Sequence, residues 1–252
     1  MSAFSILALL ATVLATSTIS GIFGMAGGVV LMGVLAALLP VSAAMVTHGV
    51  IQIAANGSRA VAHRAHIAWP IGGFYLAGAV AALGLLALLA FNPTAAFVNL
   101  GLALVSFLVW LPAKRFALDA AKPAHAALCG LSVTMLNISA GVAGPLLDVF
   151  FVNTQLTRHQ IVATKAVTQV ASHLAKVAFY GAPMLLAARQ GGLPPAWVFA
   201  LAIPLSFVGT VLGARILDKM SDRSFLAWTK WLITAMGVVY LWRGLTLLGN
   251  GP

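Results

Sequence analysis

Long apolar stretches alternate with short polar gaps along the whole of this chain. Ten apolar segments can be read, roughly at 4–20, 25–39, 41–60, 67–91, 94–111, 124–140, 145–156, 159–180, 196–213 and 224–248. A helix needs about 20 such residues to cross a bilayer. The second and seventh segments are shorter, and each follows a glycine-rich break. Each is therefore predicted to form a broken or re-entrant hairpin with the segment before it. Counting each such pair once gives about eight transmembrane units. The fold class expected is all-α, a polytopic membrane protein in a single transmembrane domain over residues 1–252.

Two of the segments carry polar side chains at helical spacing. In the eighth, Lys165, Gln169, Ser172 and Lys176 fall at i, i+4, i+7 and i+11, on one face. In the third, His48, Gln52, Asn56 and Arg59 fall at i, i+4, i+8 and i+11. A stripe of amides and cations facing lipid would cost several kcal/mol per charge. It must line a cavity or bond to polar partners on other helices. Arg59 and Lys176, at the ends, can alternatively snorkel to the interfaces. The amides near mid-segment, Gln52 and Gln169, cannot.

The two stripes belong to an internal repeat. Gly24, Ala26 and Gly27 recur 117 positions later as Gly141, Ala143 and Gly144. Leu39, Thr47, Val50, Gln52 and Ala54 recur as Leu156, Thr164, Val167, Gln169 and Ala171, and Arg59 answers to Lys176. A chain this rich in Ala, Leu and Val gives about three such identities by chance, against the eight found over residues 24–60. The repeats span about 1–115 and 120–250. Matching glycine breaks in a two-fold repeat are the mark of a secondary transporter, and they point to its binding site.

Composition agrees. Hydrophobic residues make up 62% and charged residues 7%, too few charges to cover a soluble surface of this size. The N-terminal stretch lacks the positive region of a signal peptide and is expected to stay as a first helix. With polar gaps no longer than about a dozen residues, no soluble domain is expected. The six tryptophans fall near segment ends, as interfacial belts require.

The formal charge of +10 comes from cations in the short loops, which excludes a nucleic-acid role. Placing Arg59, Arg64, Lys114, Arg115, Lys122, Arg158, Arg215, Lys219 and Arg223 on the cytoplasmic face puts both termini outside. The third and eighth segments then run in opposite directions, so the repeats are inverted.

The glycine breaks, Gly21 to Gly28 and Ser139 to Pro145, allow a helix to stop and restart inside the membrane. A restarted helix exposes free N–H groups and the positive end of its dipole, a site for an anion. Close helix packing is the alternative use of such glycines. Asp148 is the one carboxylate within an apolar segment; it pairs with a cation such as Lys165 or takes up a coupling proton. Asn137 and Ser139 can donate to a substrate or cap a helix. His63 and His66, without cysteine or carboxylate ligands, make a poor metal site, and no metal is expected. The lone Cys129 excludes an internal disulfide and a thiol redox pair.

An enzyme is disfavoured. The chain has no Glu for an HExxH site and no GxSxG elbow. It has no GxxxxGK[ST] loop for ATP, and no cofactor is expected.

The segment Gly21-Ile-Phe-Gly-Met-Ala-Gly-Gly resembles the glycine-rich signature opening the first repeat of the TauE/SafE family of sulfite exporters. Gly141-Val-Ala-Gly-Pro, Arg158, Val162-Ala163-Thr164, His173 and Lys176 are similar to its second-repeat pattern. The resemblance covers nearly the whole chain. It implies a multi-pass transporter of the bacterial cytoplasmic membrane that moves sulfite, organosulfonates or related small anions. Ser139, Ala140, Val142 and Ala26 depart from the denser glycine clusters of several members, which opens the substrate range beyond sulfite.

The expectation is then a secondary transporter whose partners are a small anion and the lipid bilayer. Gly24, Gly27, Gly28, Gly141 and Gly144 would present helix ends to the anion. Thr47, Gln52, Thr164 and Gln169 would hydrogen-bond it, and His48 and Lys165 would contribute charge. Asp148 is the candidate for proton coupling. A passive anion channel or a non-catalytic membrane subunit would use the same polar stripes. Nothing in the sequence sets an oligomeric state.

Overall fold

In lipid a backbone has no water to bond to, so a chain of apolar runs must satisfy its N–H and C=O groups within helices. The computed structural model of the chain, which describes residues 2–23, 26–186, 192–217 and 222–249, is helical throughout, with no strand among them. Its α-helices are α1 (Ala3–Phe23), α2 (Ala26–Leu38), α3 (Val41–Ala62), α4 (Trp69–Leu88), α5 (Ala95–Phe107), α6 (Pro123–Ala140), α7 (Gly144–Phe151), α8 (Arg158–Leu186), α9 (Ala196–Leu217) and α10 (Asp222–Gly249). Each answers to one of the ten apolar segments. Several end away from expectation: α4 at Leu88 rather than 91, α5 at Phe107 rather than 111 and α9 at Leu217 rather than 213. Helix α7 stops at Phe151 rather than near 156, and α8 runs on to Leu186 through Pro183.

Local chemistry sets the ends. Thr94 caps α5, its Oγ1 accepting from Phe97 N–H at 3.2 Å. Pro123 and Pro145 sit in the first turns of α6 and α7, where a missing N–H costs nothing. Helix α6 ends because Gly141 turns left-handed (φ +87°), a conformation only glycine adopts freely.

Four helices are long and apolar enough to cross a membrane: α1, α4, α9 and α10 over Phe4–Ile22, Trp69–Leu88, Ala196–Gly213 and Lys230–Gly249. They carry large exposed apolar side chains, among them Leu76 and Val80 on α4, Phe207 and Val211 on α9, and Val238 on α10. All six tryptophans are exposed. These features place the protein in a membrane, with these faces toward lipid.

Helices α3 and α8 have the length of spans but are too polar to be counted among them. They pack against each other, flanked by α2 and α9 on the α3 side and by α4 and α6 on the α8 side. Their stripes are thereby removed from lipid.

Several of the helix contacts fall into matched pairs. Helix α1 packs on α9 and α4 on α6; α3 packs on α9 and α8 on α4; α2 packs on α10 and α7 on α5. Pairing the helices by chain order, α1–α5 with α6–α10, turns the first member of each pair of contacts into the second; the 117-residue shift itself carries α1, α2 and α3 onto α6, α7 and α8. The α3–α8 and α5–α10 contacts map onto themselves.

Candidate functional site

Facing stripes on α3 and α8 converge on a buried polar cluster, with Lys176 at its centre and wholly buried. Its Nζ donates to Gly141 O at 2.8 Å, to Asn137 Oδ1 at 3.3 Å and to His48 Nδ1 at 2.8 Å. The histidine's hydrogen follows from its other partner. His48 Nε2 lies 3.0 Å from Gly28 O, which can only accept, so Nε2 carries the hydrogen and Nδ1 the lone pair. Lys176 therefore meets three acceptors, matching the three N–H groups of an ammonium.

Asn137 extends the network. With Oδ1 toward Lys176, its Nδ2 donates to Ser172 Oγ at 2.7 Å and to His173 Nδ1 at 3.2 Å. The hydrogen of His173 must then lie on Nε2, which has no hydrogen-bond partner among the described residues. The rings of His48 and His173 stand 5.5 Å apart, centroid to centroid.

Beside this cluster is a cavity of about 30 Å³, room for roughly two waters. Gly28, His48 and Gln52 line it from the first repeat. Asn137, Gly144, Gln169, Ser172 and His173 line it from the second, with Val133 and Leu147 as apolar wall. The side chains of Gln52 and Gln169 make no hydrogen bond among the described residues. Two free carboxamides and the N–H of His173 are thus available to a ligand, with a buried ammonium behind them. No carboxylate offsets it: the one ion pair among the described residues joins Lys165 to Asp148. A cation and hydrogen-bond donors, with no counter-charge among the described residues, are complementary to an anion.

Of the residues expected at the site, Gly28, His48, Gln52, Gly144 and Gln169 line the cavity. Gly24 lies outside the described residues. Gly27 packs on α1, where a Cβ would fall 1.9 Å from Thr16 O, so its role is close helix approach. Gly141 stands behind the cavity and offers its carbonyl to Lys176. Thr47 is buried with its Oγ1 unpaired. Thr164 Oγ1 instead accepts from Ala68 N–H at 2.9 Å, tying α8 to the start of α4.

Lys165 does not reach the cavity. It is spent on Asp148, whose side chain is 51% exposed. The cation beside the cavity is Lys176, and the snorkelling expected as an alternative for it does not occur. His173 lines the cavity although the stripe, which included Lys176, did not include it. Its spacing of four from Gln169 put it on the same face, a signal that was open to reading. Among the described residues no three His, Cys or Asp side chains cluster as metal ligands.

A polytopic helical membrane protein with a polar cavity between two repeat-related helices has the build of a solute transporter. The chain belongs to the sulfite exporter TauE/SafE family, whose family model matches residues 8–240. No curated protein and no solved structure gives a match. Family membership makes the protein a membrane transporter rather than an enzyme.

Proposed function

We propose that this protein is a secondary transporter that carries a small anion, sulfite or a related sulfonate or carboxylate, across the bacterial cytoplasmic membrane by alternating access. The observation that carries the reading is Lys176: a buried ammonium holding three neutral acceptors, with no carboxylate partner among the described residues, next to a cavity with unpaired donors. A charge so placed has lost its hydration without gaining a counter-ion. An anion in the cavity supplies one. The breaks support the same reading, since the start of α7 at Gly144 and the turn before it at Ala143 form part of the wall.

Alternating access rests on the repeats. The exchange of helix contacts when α1–α5 are paired in order with α6–α10 is what two equivalent halves related by a two-fold axis would produce. Placing the loop cations on one face, the cytoplasm, favours an inverted arrangement with both termini outside. A cavity with room for only about two waters fits a contracted state, which opens to one side or the other to admit an anion.

The test is uptake of radiolabelled sulfite, small sulfonates and carboxylates into proteoliposomes, with and without a pH gradient. Saturable uptake of at least one anion, lost in Lys176→Met, is the expected result. Flux that rises without saturation would make the protein a channel. Flux of none, against a working control transporter, would leave it without the proposed activity.

A further inference from the structure

A second, smaller polar cavity of about 20 Å³ lies on the other side of Gln52 and Gln169. Both glutamines line it, as they line the first. Its remaining polar wall comes from Asn56 and Arg59 on α3, Ser17 and Ser20 on α1, and Thr210 on α9.

The two cavities correspond under the internal repeat. A shift of 117 positions takes Gln52 to Gln169, Ala55 to Ser172 and Asn56 to His173. It also takes Ser20 to Asn137. Each starting residue lines the second cavity and each end point lines the first. The same shift takes Arg59 to Lys176. Each cavity therefore has a cation seven residues beyond its own glutamine, on the same helical face. Gln169, in the second repeat, closes the second cavity as Gln52, in the first, closes the first.

The chemistry corresponds as well. The Arg59 guanidinium makes one hydrogen bond among the described residues, Nη1 to Asn56 Oδ1 at 3.1 Å, and no ion pair. Guanidinium has five N–H groups in a planar fork, a shape that matches two oxygens of a carboxylate or an oxyanion. The hydroxyls of Ser20 and Thr210 are further donors. Thr210 already donates its own hydrogen to Ser206 O, so Ser20 is the freer of the two.

We propose that the Arg59 cavity is a second station for the same small oxyanion, and that Gln52 and Gln169 together form the gate through which the anion passes between it and the Lys176 station. The inference rests on the anion-transport reading and adds a path to it. An anion is never left without a cation along that path: it leaves the guanidinium for the ammonium, handed across by two carboxamides that donate to it from either side. Two cavities of water size with both glutamines between them correspond to the closed gate.

Equilibrium binding of radiolabelled sulfite and of methanesulfonate to the purified full chain, read beside proteoliposome uptake, tests this. Wild type is expected to bind two anions per chain. Arg59→Gln should bind one and lower uptake at least tenfold through a raised KM, whereas Arg59→Lys, which keeps the charge, should bind two. Gln52→Leu with Gln169→Leu should abolish uptake and weaken binding at both stations, since each loses its carboxamide donors. One anion bound in wild type, with binding and uptake both unchanged in Arg59→Gln, overturns the second station and leaves anion transport standing. No saturable binding or uptake of any anion by wild type overturns the transport reading itself, and the station with it.

Discussion

Lys176 Nζ stands 2.8 Å from Nδ1 of His48, although 128 residues separate them in the chain. The contact joins the two repeats through two fully buried side chains. It joins unlike partners, because the repeat counterpart of Lys176 is Arg59 and that of His48 is Lys165. The two halves share a plan and have specialised: one presents a histidine where the other presents a lysine.

Removing the ammonium should separate function from stability. Burying a charge costs several kcal/mol, and its three hydrogen bonds, from a charged donor, return about 1.5–3 kcal/mol each, a comparable total. Lys176→Met should therefore shift the melting temperature in detergent only modestly while cutting sulfite uptake at least tenfold. A variant that melts well below wild type would show Lys176 to be a structural pin first.

A resident counter-ion should compete with the substrate. Asn137 Oδ1 already accepts from Lys176 at 3.3 Å. Asn137→Asp would place a carboxylate there and neutralise the ammonium from within. The expected outcome is a folded protein with sulfite uptake reduced more than tenfold, measured beside Asn137→Leu as a neutral control. Wild-type uptake in Asn137→Asp would remove Lys176 from the binding step.

The Lys165–Asp148 pair is expected to be structural. It lies away from the cavity wall, with the Asp148 side chain half exposed. Asp148→Asn leaves the lysine unpaired, so the single variant should melt lower than the double variant Asp148→Asn with Lys165→Gln. The double variant should retain uptake within about threefold and keep the wild-type response to a pH gradient. Loss of that response would make Asp148 the coupling site.

Helix crossings on the lipid side should be sensitive to a single methyl. A Cβ on Gly130 of α6 would fall 1.9 Å from Tyr75 O of α4. Gly130→Ala should destabilise by about 1–3 kcal/mol, read as a lowered melting temperature. Gly84→Ala, on α4 with open space around it, should be neutral or slightly stabilising.

The ten helices were legible because each is a local consequence of composition. An apolar run in lipid has no option but a helix, and glycine or proline marks where it stops. The glutamines were legible too: Gln52 and Gln169, placed by the repeat and by the cost of burying an amide, both line the cavity. Helix length was less so. The end of α7 at Phe151 and the extension of α8 past Pro183 depend on neighbouring helices that supply or withhold contacts.

By itself the sequence determined that the chain lies in a membrane, that it is built twice over, and that two striped helices carry its polar chemistry. Periodicity and hydropathy are properties of a helix alone, so they survive without a fold. Only the tertiary structure decided which cation stands at the cavity. Lys165 and Lys176 lie on the same face of α8, and nothing in that helix distinguishes them. Asp148, brought alongside by α7, claims the first. Asn137, Gly141 and His48, converging from α6, the second break and α3, enclose the other. A lysine's role was set by the partners that packing delivered to it, and packing is a relation among helices that no single stretch of residues contains.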